Sequence, residues 1–555
     1  MIHSPDFPPT TEPAPLGMSN SGHQDYQESI GAEEGSGVDK SISWHGQLEF
    51  IVYCIATAIG LGNDMWRFPF VAYKNGGGAF LIPYLLLLVL VGGPLFFLET
   101  FLGQFSSSNC VKMWDMVPAL RGGGLAQALG TFYILSYYMS MIAISLFYLY
   151  KSFDNPLPWA YCDEEWINCV GSGQRAKIAN STSSAEFYFR KAVLHQKDGI
   201  DDGIGAPILS LSICLLISWI FVYIAVAKGV KDKGWLSYSW AVLPYVILSI
   251  LFVRAVTLPG AKNGIVVLFK PQWVKIFDIK VWYAATAQIF FSLSLCSGTI
   301  SMFASFNSFR LDVYRDAMVV TSLDSFTSLI SGVTMFGILG NLAHELGHDT
   351  IDRVVGSGGV GLTFISYPDA IAKFPFAPQA FAVLFFVMTA VLGVGTGVLM
   401  FSSIIVVVKE CFPRVGTFYL TTIGCVFGFC TGLPYVTPGG QYITELVDYY
   451  GGIFVRLFSA IIETVGVFWI YGLEKVCLDV EYVLGKKCGI ILRICWGLLI
   501  PLILFTVFIY SMMTEENLEY GDDYIYPNTA YMITPLVLWC DGATTVAPRL
   551  RLRLR

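Results

Sequence analysis

Eleven apolar runs follow one another along the chain, at roughly 46–70, 79–104, 126–150, 206–227, 237–258, 282–306, 317–342, 378–408, 416–436, 441–470 and 490–512. A helix needs about 20 residues to cross some 30 Å of hydrocarbon. Inside a bilayer only helices and closed barrels satisfy their own backbone. The pattern therefore predicts an all-α polytopic membrane protein. A twelfth apolar segment, TAYMITPLVLWC, is too short to span, so any twelfth helix there would be atypical or incomplete.

The first run is interrupted. The stretch from Ile55 to Tyr84 carries Gly60, Gly62, Asn63, Asp64, Arg67 and Pro69. Gly and Pro break the hydrogen-bond ladder, and an unsatisfied backbone group in hydrocarbon costs several kcal/mol. Freed carbonyls at such a break bind cations, and freed amides bind anions. Small residues also let helices pack closely, so this stretch alone leaves a kinked packing helix open. The sixth run, QIFFSLSLCSGTISMFASFNSF, is interrupted too, by Ser292, Ser294, Ser297 and Gly298. A polar packing stripe is the alternative there. Interruptions in runs one and six, each the first of a set of five, predict an inverted five-plus-five repeat with the binding site between the two breaks.

Composition agrees: of 555 residues, 55% are hydrophobic and only 14% charged, against about 25% charged in soluble domains. Residues 1–43 are polar and read as a disordered tail, 44–540 as the transporter domain, and 541–555 as a basic tail ending RLRLRLR. The tail's arginines suit an anionic inner leaflet. Lys112 and Arg121, Lys228, Lys231 and Lys233, Arg310 and Arg315, Lys409 and Arg414, then Lys475, Lys486 and Lys487 fall on alternate loops. Positive loops face the cytoplasm, which puts the N-terminus inside and the long loop 152–205 outside. Lys262, Lys270, Lys275 and Lys280 on an outer loop make the asymmetry imperfect. Asn180-Ser181-Thr182 is a glycosylation sequon on the outer loop. The thirteen cysteines show no metal-ligand spacing and read mostly as small apolar residues. A primary pump is disfavoured, because no phosphate-binding Walker sequence occurs, and nothing points to nucleic acid.

GLGN, WRFP and KNGGGAFLIPY resemble the first two helices of the neurotransmitter:sodium symporter family, and the likeness runs from about Gln47 to Met513. Finer similarity is to insect nutrient amino acid transporters, through VYRDAMVVTSLDSFTSLISGVTMFGILGNLAHELG, SLSLCSGTISM and GVGLTFISYPDAIAKFPF. The resemblance implies roles by position. Ala58, Asn63, Ser292 and Asp324 match one sodium site, and Ala56, Ile59, Leu392 and Thr396 a second. Gly395 adds no side-chain oxygen beside it. Substrate positions are Ala58, Gly60, Gly62, Ile134, Tyr138, Phe291, Ser294, Ser297 and Met400. Gly62 matches an amide that meets the substrate carboxylate. Gly60 stands where monoamine carriers have Asp, which implies an amino acid substrate. Ser297 replaces a bulkier family residue and implies a wide pocket. Tyr84, Gln288, Ser292 and Ser328 match a chloride site, Arg67 and Asp448 an outer gate, and Lys40 with Glu410 an inner gate. Cys162 and Cys169 match an outer-loop disulfide.

Four departures stand out, one being the short twelfth segment, since the family has a full helix there. One residue more than the family has lies between Asn63 and Arg67, which turns a helix by about 100° and so threatens to misdirect Arg67. Ser41 stands where the family has an inner-gate Arg, with Lys40 adjacent. Asp324 stands where most members have Asn. The last is either a protonated stand-in for Asn or an extra negative charge beside the cation. Some insect carriers that this chain resembles use potassium. The expected function is uptake of a neutral L-amino acid across the plasma membrane with sodium or potassium, with chloride as a further candidate ion. The rivals are a glycine or GABA carrier and a non-transporting family member.

Overall fold

The computed structural model describes residues 47–58, 60, 67–174, 182–227, 234–345, 347, 351, 361–374, 376–513, 519–520 and 524–527. Lys40, Ile59, Gly62, Asn63, Asn180, the terminal tails and the twelfth segment lie outside the described residues.

The first span is α1 (Gln47–Ala58) and α2 (Phe68–Lys74). Pro69 sits in the first turn of α2, where its missing N–H costs nothing. There follow α3 (Gly78–Ser106), α4 (Gly122–Lys151), α5 (Leu209–Ala227) and α6 (Gly234–Thr257). Helix α6 bends by 107° into α7 (Ala261–Phe269). The sixth span is α8 (Ile279–Ser292) and α9 (Thr299–Ala304), with the break at 293–298. Then come α10 (Val313–Glu345), α11 (Tyr367–Ala372), α12 (Pro378–Cys411), α13 (Thr417–Gly432), α14 (Gly440–Leu484) and α15 (Ile490–Met513). Among the described residues, eight helices are long and apolar enough to cross a membrane. The bent α6 and the two interrupted spans complete the predicted eleven. Helix α14 outruns its predicted bound because Gly472, at φ 113°, turns the chain into a further amphipathic stretch, Leu473–Leu484.

Packing follows the repeat. Helix α10 packs on α1 and α2, and α3 packs on α8 and α9. Exchanging the two halves converts one set of contacts into the other. Likewise α4 packs on α14, and α12 on α6, while α4 and α12 form the most extensive pair. Close approach depends on absent side chains: a Cβ on Gly103 of α3 would collide with the Ser301 carbonyl of α9. Tyr148, Trp159, Phe364 and Phe386 form an aromatic stack that seats the long loop on α4 and α12. On the other side, Gln47 donates to Asp316 at 2.6 Å, tying α1 to α10. Lys486 donates to Asp312 at 2.6 Å and holds that carboxyl below its usual range.

Cys162 and Cys169 form a disulfide in the long loop, with Cα atoms 5.8 Å apart. Without reduction, a membrane-impermeant maleimide on intact cells should label neither cysteine. Cys162→Ala should lower the surface pool severalfold, since losing a native disulfide typically costs about 2–5 kcal/mol in small secreted domains. Labelling of both thiols in mature wild-type protein would contradict the bridge.

Candidate functional site

The two breaks meet. Helix α1 stops at Ala58, where the buried Gly60 amide turns back to the Ala58 carbonyl at 3.1 Å. Across from it, α8 ends at Ser292 and the chain takes left-handed backbone at Ser294 (φ 52°), Cys296 (φ 53°) and Gly298 (φ 71°). Gly298 must lack a side chain, because a Cβ there would lie 2.6 Å from Cys110 Sγ. Side chains take over where the ladder fails. Glu99 of α3 accepts the Cys296 amide at 2.7 Å. Thr131 of α4 donates to the Ser297 carbonyl at 2.8 Å. Ser297 Oγ donates to the Ser294 carbonyl at 2.7 Å and accepts the Thr299 amide at 3.2 Å. Ser297 was expected on the pocket wall; its hydroxyl is spent on bracing the break. Ser294 Oγ donates to the Thr57 carbonyl at 3.3 Å, joining the two interrupted spans.

Oxygens gather on both sides of this junction. Thr396 Oγ1 of α12 lies 3.4 Å from the Ala56 carbonyl and 3.1 Å from the Leu392 carbonyl. Those are three of the four residues expected at the second cation site. Deeper in the bundle, Ser292 Oγ stands 2.7 Å from each carboxylate oxygen of Asp324. A hydroxyl has one proton, so it serves one of these oxygens at a time. Ala58, Ser292 and Asp324 of the first cation set are all buried. Tyr84, Gln288 and Ser328, expected around an anion, are buried in the same region, and neither amide atom of Gln288 has a hydrogen-bond partner among the described residues. Ile134, Tyr138, Phe291 and Met400 are each at most 5% exposed, although they come from α4, α8 and α12.

The pair Arg67–Asp448 forms as expected. Arg67 donates through both terminal nitrogens, at 3.2 and 2.7 Å. The extra residue before it does not misdirect it. Tyr137 donates to the same carboxylate at 2.5 Å. The Arg67 guanidinium lies 3.6 Å above the Phe291 ring, so the ion pair rests directly on the aromatic residue. The pair is only 11% and 18% exposed and is therefore weakly screened. The expected partnership of Lys40 with Glu410 falls outside the described residues on the Lys40 side; Glu410 itself faces Lys112 at 3.5 Å.

Several participants escaped the sequence reading. Thr57 and Tyr137 are neighbours of residues that were singled out. Glu99, Arg456 and Glu463 are ionisable groups within apolar runs, a signal that by itself marks a functional candidate. Arg456 donates to the Phe290 carbonyl at 3.1 Å and lies 4.8 Å from the Phe291 ring. Phe291 thus touches two guanidinium groups.

Residues 42–548 match the model of the sodium:neurotransmitter symporter family. Among curated proteins, the chain is 46% identical over 510 residues to the sodium-dependent nutrient amino acid transporter 1 of Drosophila willistoni, covering 87% of this chain and 79% of the relative. It is 44% identical over 527 residues to the protein of that name from Drosophila melanogaster, covering 90% and 82%. With the family's model matching nearly end to end and relatives of this identity, the chain belongs to the sodium:neurotransmitter symporter family.

Proposed function

We propose that this protein is a secondary transporter that takes up neutral L-amino acids with sodium by alternating access. The junction of the two broken spans is the observation that carries the reading. Thr396, Leu392 and Ala56 bring oxygen ligands together there, and Ser294 ties the breaks to each other. Oxygen donors suit hard cations. Names of the relatives, sodium-dependent nutrient amino acid transporters, support the same substrate class.

The residues then take these roles. A sodium ion held by Ala56, Ile59, Leu392 and Thr396 fixes α1 against α12. A second ion sits among Ala58, Asn63, Ser292 and Asp324, and the substrate carboxylate completes it. Gly60 and Gly62 let that carboxylate approach the helix end, where the freed amides favour an anion. Tyr138, Ile134, Ser294 and Met400 surround the rest of the substrate. Arg67, Asp448 and Tyr137 over Phe291 close the side carrying the long loop, which faces the cell exterior. Each sodium moved inward down about 100 mV contributes about 2.3 kcal/mol to accumulation.

Asp324 separates this chain from the commoner family pattern. We infer that its carboxylate supplies, beside Tyr84, Gln288, Ser292 and Ser328, the negative charge that a halide would bring. A stronger anionic field with adaptable ligands also accepts potassium. Uptake should therefore depend weakly on chloride and proceed partly in potassium, and Asp324→Asn should change both. Strict chloride dependence in the wild type, or an unchanged ion preference in the variant, would contradict this.

Two further outcomes test the roles. Asp448→Asn should lower uptake about tenfold at constant surface expression, equivalent to about 1.4 kcal/mol, near the lower bound for losing a hydrogen bond to a charged group. Gly60→Asp should abolish amino acid uptake by setting carboxylate against carboxylate. Wild-type uptake of any α-amino acid by that variant would remove Gly60 from the substrate path.

A further inference from the structure

The cysteine in the break of the sixth span, although buried in the core, also meets acidic groups. Cys296 holds left-handed backbone (φ 53°), costly for a residue with a Cβ, and its side chain enters a buried acidic cluster. One oxygen of Glu99, one of Glu463 and Cys296 Sγ all lie within 4.8 Å of one another. All three residues are at most 1% exposed. They come from three separate elements: α3, the break itself and α14.

Each carboxylate has one oxygen held and one free. Glu99 Oε1 accepts the Cys296 amide at 2.7 Å, while Oε2 has no hydrogen-bond partner among the described residues. Glu463 Oε2 accepts Gln127 Nε2 at 2.8 Å and the Cys296 thiol at 3.7 Å, while Oε1 has no partner among the described residues. Gln127 is itself 2% exposed, points into the cluster, and its own Oε1 has no partner among the described residues. Buried oxygens without donors, beside a thiol, are a ligand set rather than a packing arrangement. Held oxygens orient the free ones, the role of outer hydrogen bonds around a metal.

Distances fit a particular class of ion. Zinc bonds of about 2.3 Å to sulfur and about 2.1 Å to oxygen, at a tetrahedral angle, put the two ligand atoms about 3.6 Å apart. Cys296 Sγ donates to Glu463 Oε2 at 3.7 Å, so replacing that thiol proton by an ion leaves the sulfur and this oxygen at the spacing zinc needs. A thiolate selects against sodium and magnesium in favour of softer cations. We propose that Glu99, Cys296 and Glu463 form a site for a thiophilic divalent cation such as Zn2+, distinct from the transported ions. Binding releases the thiol proton and the proton held between the two carboxyl groups to solvent, and the resulting thiolate and two carboxylates take up the metal. An occupied site staples the break to α3 and α14. Because alternating access needs this break to move, occupation inhibits transport.

The test uses the full-length protein and two readouts. Purified transporter dialysed against micromolar ZnCl2 should retain one zinc more per chain than Cys296→Gly. Glycine is the chosen replacement because it suits the left-handed backbone and leaves both carboxylates in place. In cells, Zn2+ or Cd2+ should inhibit uptake, with at least a tenfold higher half-inhibitory concentration in Cys296→Gly and in Glu463→Gln at matched surface expression. Equal zinc content in wild type and Cys296→Gly, or equal sensitivity of their uptake, would overturn the proposal. The zinc measurement needs no transport activity, so its failure is separable from failure of the transport reading.

Discussion

Backbone polarity inside hydrocarbon is the constraint on which this structure depends. A span may be broken only if something else satisfies the amides and carbonyls released. In the sixth span the replacements can be followed atom by atom. Glu99 takes the Cys296 amide, Ser297 takes the Thr299 amide, and Thr131 and Arg456 serve the Ser297 and Phe290 carbonyls. These partners come from α3, α4, α14 and the break itself, so the break organises the bundle around it. Beside the break of the first span, the hydroxyl of Thr396 meets the carbonyls of Leu392 and Ala56.

The Arg67–Asp448 pair rests on different forces. Arg67, Asp448 and Tyr137 form a compact charged cluster resting on Phe291. A bidentate pair of this kind is directional, so it defines a closed geometry rather than a loose approach. Arg456 on the same aromatic ring adds positive charge in a weakly screened place. The ion pair and the sixth span are therefore joined through Phe291, which lies next to the break.

Much of this was legible in the sequence because lipid imposes a simple grammar. Length and hydropathy marked the spans, and Gly, Pro and polar residues at mid-span marked both breaks. Arg67 pairs with Asp448, and Ser292 with Asp324, two pairings the resemblance implied. What stayed hidden depends on rotation about a helix axis and on distant pairing. Tyr138 was singled out as a substrate position, while its neighbour Tyr137, turned by about 100°, went unmarked and reaches Asp448. Cys296 looked like one more small apolar residue, since nothing local reveals that Glu99 and Glu463, 197 and 167 positions away, converge on it. The use of Ser297 in bracing the break is a matter of backbone angles, which its sequence position does not reveal.

The central claim is cation-coupled amino acid uptake through the junction of the two broken spans. It is tested most directly by recording current in a voltage-clamped cell expressing the protein while neutral amino acids are applied in sodium, potassium or choline. The account predicts an inward current with at least one neutral amino acid in sodium, a smaller one in potassium, and none in choline. Protein present at the surface that gives neither current nor tracer uptake with any amino acid would contradict it.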